Sequence, residues 1–169
     1  GPEGGMLRAL EAVLETSSVK SIVDVASGTG ELSSLAMRRG KVKKVMVNEL
    51  SACLQPHLVE YLGRIAEERE VQLDFNFGDC LEMKIPTSAD LIMVGVFYGI
   101  QPELIARKGR EIADCLGEKG ILVMQTSMPE TLFNHLLVAG SSKELESWSW
   151  YDTSFSVKLY FPHVETVYI

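Results

Sequence analysis

The sequence predicts an α/β fold, with a doubly wound, mostly parallel seven-stranded sheet and an antiparallel C-terminal edge. Three observations carry that expectation. Stretches of strand character alternate with stretches of helical apolar spacing from residue 6 to about residue 139. One junction, residues 21–33 (SIVDVASGTGELS), passes from a β-branched run through a Gly-rich turn directly into a helical pattern. The last stretch, from Trp148 onward, is rich in aromatic and β-branched residues and has no helical spacing.

Taken in order, residues 6–15 place Met6, Leu7, Leu10, Val13 and Leu14 on one face of a short helix. Residues 21–25 form the first strand, 26–30 its turn, and 31–37 open the next helix. Residues 42–50 (VKKVMVNEL) read as a second strand. The following segment, to about residue 70, carries Leu54, Leu58, Leu62 and Ile65 as an apolar stripe, and Pro56 puts the start of the helix proper near itself. Residues 71–77 alternate apolar and polar as a third strand. Residues 89–96 are almost wholly apolar, a fourth strand buried on both faces. Residues 102–116 return to helical spacing, Gly117-Glu118-Lys119-Gly120 turns, and 121–126 is a fifth strand. Residues 129–139 read as an amphipathic helix. Two adjacent strands, broken near Pro162-His163, close the chain.

The length of 169 residues fits one domain with a substantial core, placed at 6–169. Residues 1–5, GPEGG, read as a cleavage scar or trimmed boundary. A net charge of −7 argues against a generic binder of nucleic acid or anionic membrane. The basic group Arg38, Arg39, Lys41, Lys43 and Lys44 reads as a solvated helix end. Cys53, Cys80 and Cys115 are odd in number and lack metal-type spacing. They point to a reducing, cytoplasmic setting with no disulfide framework and no metal site. No apolar run reaches the ~18 residues of a membrane span.

A strand, a Gly loop and a helix start together make a nucleotide-type cradle. The dinucleotide fingerprint needs a small third residue, Gly or Ala, where this chain has Ser33. A P-loop is excluded because no Gly-Lys-Ser/Thr follows. The remaining pattern is acid-x-small-x-Gly-x-Gly, here Asp24-Val25-Ala26-Ser27-Gly28-Thr29-Gly30. With it the chain resembles the class I S-adenosylmethionine-dependent methyltransferases, which have a Rossmann-like fold. The resemblance runs from about Ser21 to the end, and further stations follow in order: Glu49 with Leu50 after strand two, Asp79-Cys80 after strand three, and Gly95-Val96-Phe97-Tyr98 after strand four.

The resemblance implies S-adenosyl-L-methionine as cofactor. It implies that Asp24, Ala26, Ser27, Gly28, Thr29, Gly30, Glu49, Leu50, Asp79, Cys80, Gly95 and Val96 bind it, with Tyr98 beside the reacting methyl. The chemistry is consistent. One carboxylate accepts from both vicinal hydroxyls of a ribose, as Glu49 is implied to do. Asp79 can accept from an adenine amino group, and the Cys80 N–H can donate to a ring nitrogen. The residues alone leave plainer readings open: Asp24 bonding the loop backbone, Glu49 favoured by a helix dipole, Asp79 as a turn former. The slot after strand four keeps an aromatic but lacks the polar anchor of amino-group methyltransferases acting on bases. A small-molecule acceptor is therefore preferred, with the lid supplied by a trimmed segment or a protein partner. Two other classes stay in view: a cofactor-binding scaffold subunit, and a NAD-dependent oxidoreductase disfavoured by Ser33.

Overall fold

β1 (Ser21–Val25) lies inside the sheet, and every residue after Ser21 is buried. Its β-branched Ile22, Val23 and Val25 suit a strand covered on both faces. The computed structural model describes residues 2–86, 88–94, 111, 115–128, 131–141 and 165–168. β1 pairs in parallel with β2 (Lys44–Val47) on one side and β4 (Ala89–Val94) on the other. β3 (Gln72–Phe75) adds to β2, and β5 (Leu116–Met128) adds to β4, both in parallel. β6 (Thr131–Ser141) runs antiparallel to β5, and β7 (Glu165–Tyr168) antiparallel to β6. The described strands thus form a seven-stranded sheet in the order β3-β2-β1-β4-β5-β6-β7, parallel from β3 to β5 and antiparallel at the C-terminal edge, the α/β class the sequence predicts.

α1 (Pro2–Thr16), α2 (Glu31–Arg39) and α3 (Gln55–Arg69) pack side by side, α2 between the other two. α3 starts with Pro56 in its first turn, where the missing N–H costs nothing, and buries Leu58, Leu62, Ile65 and Ala66 as one stripe. α2 buries the small residues Ser33, Ser34 and Ala36 together with Met37. Two cations of the basic group are engaged locally. Arg39 pairs with Glu11 of α1 at 2.9 Å, and the Arg38 guanidinium stands 5.8 Å from the Tyr61 ring centre. Among the described residues no helix is long and apolar enough to cross a membrane.

The structure corrects the reading of residues 129–139. Residues 131–141 are a strand, β6, paired along the open edge of β5. The run TLFNHLLVAG has apolar residues at spacings that fit a helix, but a short apolar run cannot be assigned by periodicity alone. The exposed backbone edge of β5 offers a full ladder of hydrogen bonds, and pairing with it overrides local preference. β5 itself starts at Leu116 instead of Ile121. The Gly117–Gly120 stretch expected as a turn is absorbed as a register shift against β4, between the pairs Ala89↔Leu116 and Leu91↔Ile121. α1 starts at Pro2, ahead of the apolar spacing that begins at Met6. The helix expected over 102–116 and the first of the two terminal strands fall largely outside the described residues.

Gly30 fixes how α2 meets α3. Its φ is +83°, and a Cβ there would lie 2.8 Å from Leu58 Cδ2 and 3.1 Å from Leu62 Cδ1. Both leucines are fully buried, so neither has space to swing away. At Gly28, with φ +60°, a Cβ would meet nothing within 4 Å. Gly30→Ala is therefore expected to cost about 2–4 kcal/mol by urea unfolding, and Gly28→Ala only about 1–2 kcal/mol from backbone strain. Equal losses would contradict the packing argument.

Candidate functional site

The exits of β1, β2 and β3 converge on one side chain. Asn48, which follows β2, is buried and makes hydrogen bonds in three directions. Its Oδ1 accepts from the Ala26 N–H at 3.0 Å, and its Nδ2 donates to the Asn76 and Gly78 carbonyls, each at 3.0 Å. Its backbone joins the same loop: Asn48 N–H donates to Asp24 O and Ser27 N–H donates to Asn48 O, both at 2.8 Å. A carboxamide is the side chain that suits this place, because it carries acceptor and donors together. The turn it holds has Ala26 at φ 54° and Gly28 at φ +60°, conformations that survive because neighbouring contacts impose them.

Glu49 stands beside this knot. Its carboxylate accepts from the Gly28 N–H at 2.7 Å through Oε1 and from the Ser51 N–H at 2.8 Å through Oε2. Each oxygen keeps a lone pair for a further donor. Gly78 N–H donates to Glu49 O at 3.0 Å, which draws the β3 exit alongside. There Asp79 is exposed, its Oδ1 taking the Leu81 N–H at 2.9 Å in a local turn, and Cys80 is half-buried. Leu50, next to Glu49 in the chain, is 66% exposed, a large apolar side chain presented to solvent.

The remaining loop residues are arranged as follows. Gly30 N–H donates to Ser27 O at 3.1 Å, and Ser34 N–H to Gly30 O at 2.9 Å, so the turn runs straight into α2. Thr29 is exposed, its hydroxyl 3.4 Å from Glu31 Oε1 and its carbonyl 3.3 Å from His57 Nε2. Asp24 is different in kind. It is fully buried beneath the loop, and Ser33 Oγ donates to its Oδ2 at 2.5 Å. Burial pushes its carboxyl up to about 7; the Ser33 hydroxyl pulls the other way, and the nearby Glu49 charge adds to the rise. Gly95, Val96, Phe97 and Tyr98 lie outside the described residues.

Sequence reasoning missed Asn48, Ser33 and the His57–Tyr61–Ser34 group. His57 stacks on Tyr61 with ring centres 5.3 Å apart, and the Tyr61 and Ser34 hydroxyls are 2.9 Å apart. A signal existed for Asn48, a polar residue directly after Val45-Met46-Val47 at a strand's carboxyl end. None existed for Ser33, which in the sequence is only a departure from the dinucleotide pattern.

No protein family matches the sequence, and no curated protein does. Solved structures share the fold. The YcgJ protein of Bacillus subtilis superposes with a TM-score of 0.53 at 18% identity, over 73% of this chain and 50% of its own. An S-adenosylmethionine-dependent methyltransferase from Clostridium acetobutylicum gives 0.59 at 17% identity, over 81% of this chain and 61% of its own. The N-methyltransferase NodS from Bradyrhizobium japonicum, solved with S-adenosyl-L-homocysteine, gives 0.60 at 14% identity, over 73% and 60%. The chain therefore has the Rossmann-like methyltransferase fold expected from its sequence, and it spans between 50% and 61% of these proteins' lengths.

Two predictions follow from the site's construction. Asn48→Ala leaves a buried N–H and two carbonyls without their partner, and should cost about 3 kcal/mol or more in urea unfolding. Asn48→Asp should be no better, since it sets an acceptor against the Asn76 and Gly78 carbonyls. For Asp24, the folded state keeps its proton up to about pH 7 while an ordinary aspartate loses it near 3.8. Between those values the folded state binds more protons than the unfolded chain, so its contribution to stability falls as pH rises and is flat above. Asp24→Asn removes that titration. Its stability relative to the parent should rise from pH 4 to pH 8, by up to about 4 kcal/mol. A pH-independent difference would show that Asp24 is not a proton-holding group.

Proposed function

We propose that this chain binds S-adenosyl-L-methionine across the exits of β1, β2 and β3 and transfers its methyl group to a small-molecule acceptor. The observation that carries the reading is the Glu49 carboxylate lodged on the Gly28 N–H at 2.7 Å. In a phosphate cradle the loop N–H groups point at the phosphate. Here an acid already occupies the Gly28 N–H, which favours a nucleoside with no phosphate and disfavours NAD. The fold shared with methyltransferases, one of them solved with S-adenosyl-L-homocysteine, supports the same choice.

The residues present fit such a group. The space above Gly28 is open, with nothing within 4 Å of a Cβ built there, so the loop can admit an amino-acid tail. Glu49 keeps acceptor capacity for two ribose hydroxyls. Asp79, exposed at the β3 exit, accepts from an adenine amino group, with the Cys80 N–H toward the ring. Leu50 offers the base an apolar face. Ala26, Ser27, Thr29 and Gly30 shape the loop, and Asp24 acts through it from below. Gly95, Val96 and Tyr98 are assigned to the methyl-facing side by resemblance, with Tyr98 shaping the acceptor site.

The bound cofactor supplies a methyl group on a cationic sulfur, already activated for displacement. The chain's own task is alignment, which is worth several orders of magnitude in rate when the reacting atoms are held in line. Among the described residues the loop knot at Asn48 provides that rigidity, because it fixes the Gly loop and Glu49 from one buried amide.

Titration calorimetry with S-adenosylmethionine, S-adenosylhomocysteine and NAD tests the proposal. The two sulfur ligands should bind and NAD should not. Glu49→Ala and Asp79→Ala should each weaken cofactor binding by about 1–3 kcal/mol, with circular dichroism reporting an intact fold. Unchanged affinity in both variants would sink the residue assignment. Binding without transfer of a labelled methyl to any of a broad set of acceptors would favour a scaffold subunit.

A further inference from the structure

Two polar atoms beneath the Gly loop are buried and without a hydrogen-bond partner among the described residues: Asp24 Oδ1 and Ser27 Oγ. Both belong to the segment that would underlie a ligand seated on the loop. The surroundings of Asp24 are otherwise closed. β2 sets Val47 beside it and β4 sets Met93, both buried and apolar. α2 contributes the Ser33 hydroxyl, while Glu31, Arg38 and Arg39 of that helix are exposed. From the β2 exit comes the like charge of Glu49. His57 of α3 is exposed and meets the loop only at the Thr29 carbonyl. No cation among these groups faces Asp24, so an ionised carboxylate there has only the hydroxyl and backbone N–H of Ser33 to favour it and no opposite charge to balance it.

A cation settling on the loop changes that balance. It would favour the ionised carboxylate through a low-dielectric layer, where charges act strongly on one another. S-adenosylmethionine and S-adenosylhomocysteine carry the same zwitterionic amino-acid tail, so the sulfonium, replaced by a neutral thioether in the product, is the one charge by which they differ. We propose that Asp24 reads the charge of the ligand, releasing its proton to solvent when the sulfonium form binds and regaining one when the neutral product replaces it. Asp24 is thereby a specificity-determining residue that acts from beneath the loop, and the inference rests on the cofactor reading above. Because Asp24 titrates near 7 in the free protein, the preference for the charged ligand over the neutral one rises with pH up to about 7 and levels off above it.

The test is calorimetry of both sulfur ligands in buffers of different ionisation enthalpy, from pH 5 to pH 8. Asp24→Asn, whose Oδ1 can still accept from Ser33, subtracts any protons exchanged by the ligands themselves. At pH 7 the parent protein should release up to about half a proton more with S-adenosylmethionine than the variant does, and a smaller excess with S-adenosylhomocysteine. The affinity ratio of the two ligands should rise by up to about tenfold per pH unit below pH 7 in the parent and stay flat in the variant. Ser33→Ala removes the donor that favours the ionised form and should move the levelling point to higher pH. Equal proton counts for the two ligands in the parent protein would overturn the inference and leave the cofactor reading standing, even if Asp24→Asn failed to fold. If neither ligand bound, both would fall.

Discussion

Parallel strands that end together leave a row of backbone N–H and C=O groups turning away from the sheet, and buried groups of this kind must find partners. In this molecule the Asn48 carboxamide meets that demand for three strands at once, linking Ala26 after β1 with Asn76 and Gly78 after β3. Other features of the site depend on it. Glu49 is the next residue, so anchoring Asn48 on both sides determines where the Glu49 carboxylate stands. With that carboxylate held on Gly28 and Ser51, the Gly loop has a fixed floor and a fixed rim. Losing the amide would free three chain segments together, a larger effect than the loss of any one bond.

A second constraint lies underneath. Gly30 lets α3 press its leucines against the loop, and α2 sets the buried Ser33 on Asp24 of β1. Close packing of that kind removes water from the end of β1, and Asp24 is caught there. A buried carboxyl beside a like charge is a local violation of what a folded chain prefers, as is Ala26 at φ 54°. Both lie within three residues of Ser27, in the one part of the described chain that has the acids, the turn and the open space to hold a ligand. Glu70, at the end of α3, and Ser88, before β4, also take positive φ, but only here does such a backbone meet a buried acid, a pairing that a functional site can impose on its scaffold.

Up to residue 94 the fold was legible in the sequence because local signals agreed with the tertiary outcome. The stripe Leu58, Leu62, Ile65 specified α3, Pro56 marked its start, and the apolar run at β4 announced burial on both faces. Residues 131–141 were illegible for the opposite reason. Their own spacing fits a helix, and only the unpaired edge of β5 makes them a strand. The site divides in the same way. Glu49, Asp79 and the Gly loop were recognisable because their residue types and order are set by chemistry. Asn48 and Ser33 were not, because each is explained only by partners at least nine residues away in the chain.

Charge is distributed along the strand direction. Lys20, Lys43 and Lys44 are exposed where β1 and β2 begin, while Glu49 and Asp79 stand where β2 and β3 end. In a chain of net charge −7, that segregation makes the exits the more negative end. Glu31 stands at the start of α2 and the Glu49 carboxylate takes the Gly28 N–H, so acids stand where a phosphate cradle would present free loop N–H groups. A ligand approaching the loop therefore meets an acidic rim. The ligand that gains most from such a surface carries hydroxyl donors and positive charge. That combination is the physical basis for preferring a sulfonium nucleoside to a dinucleotide.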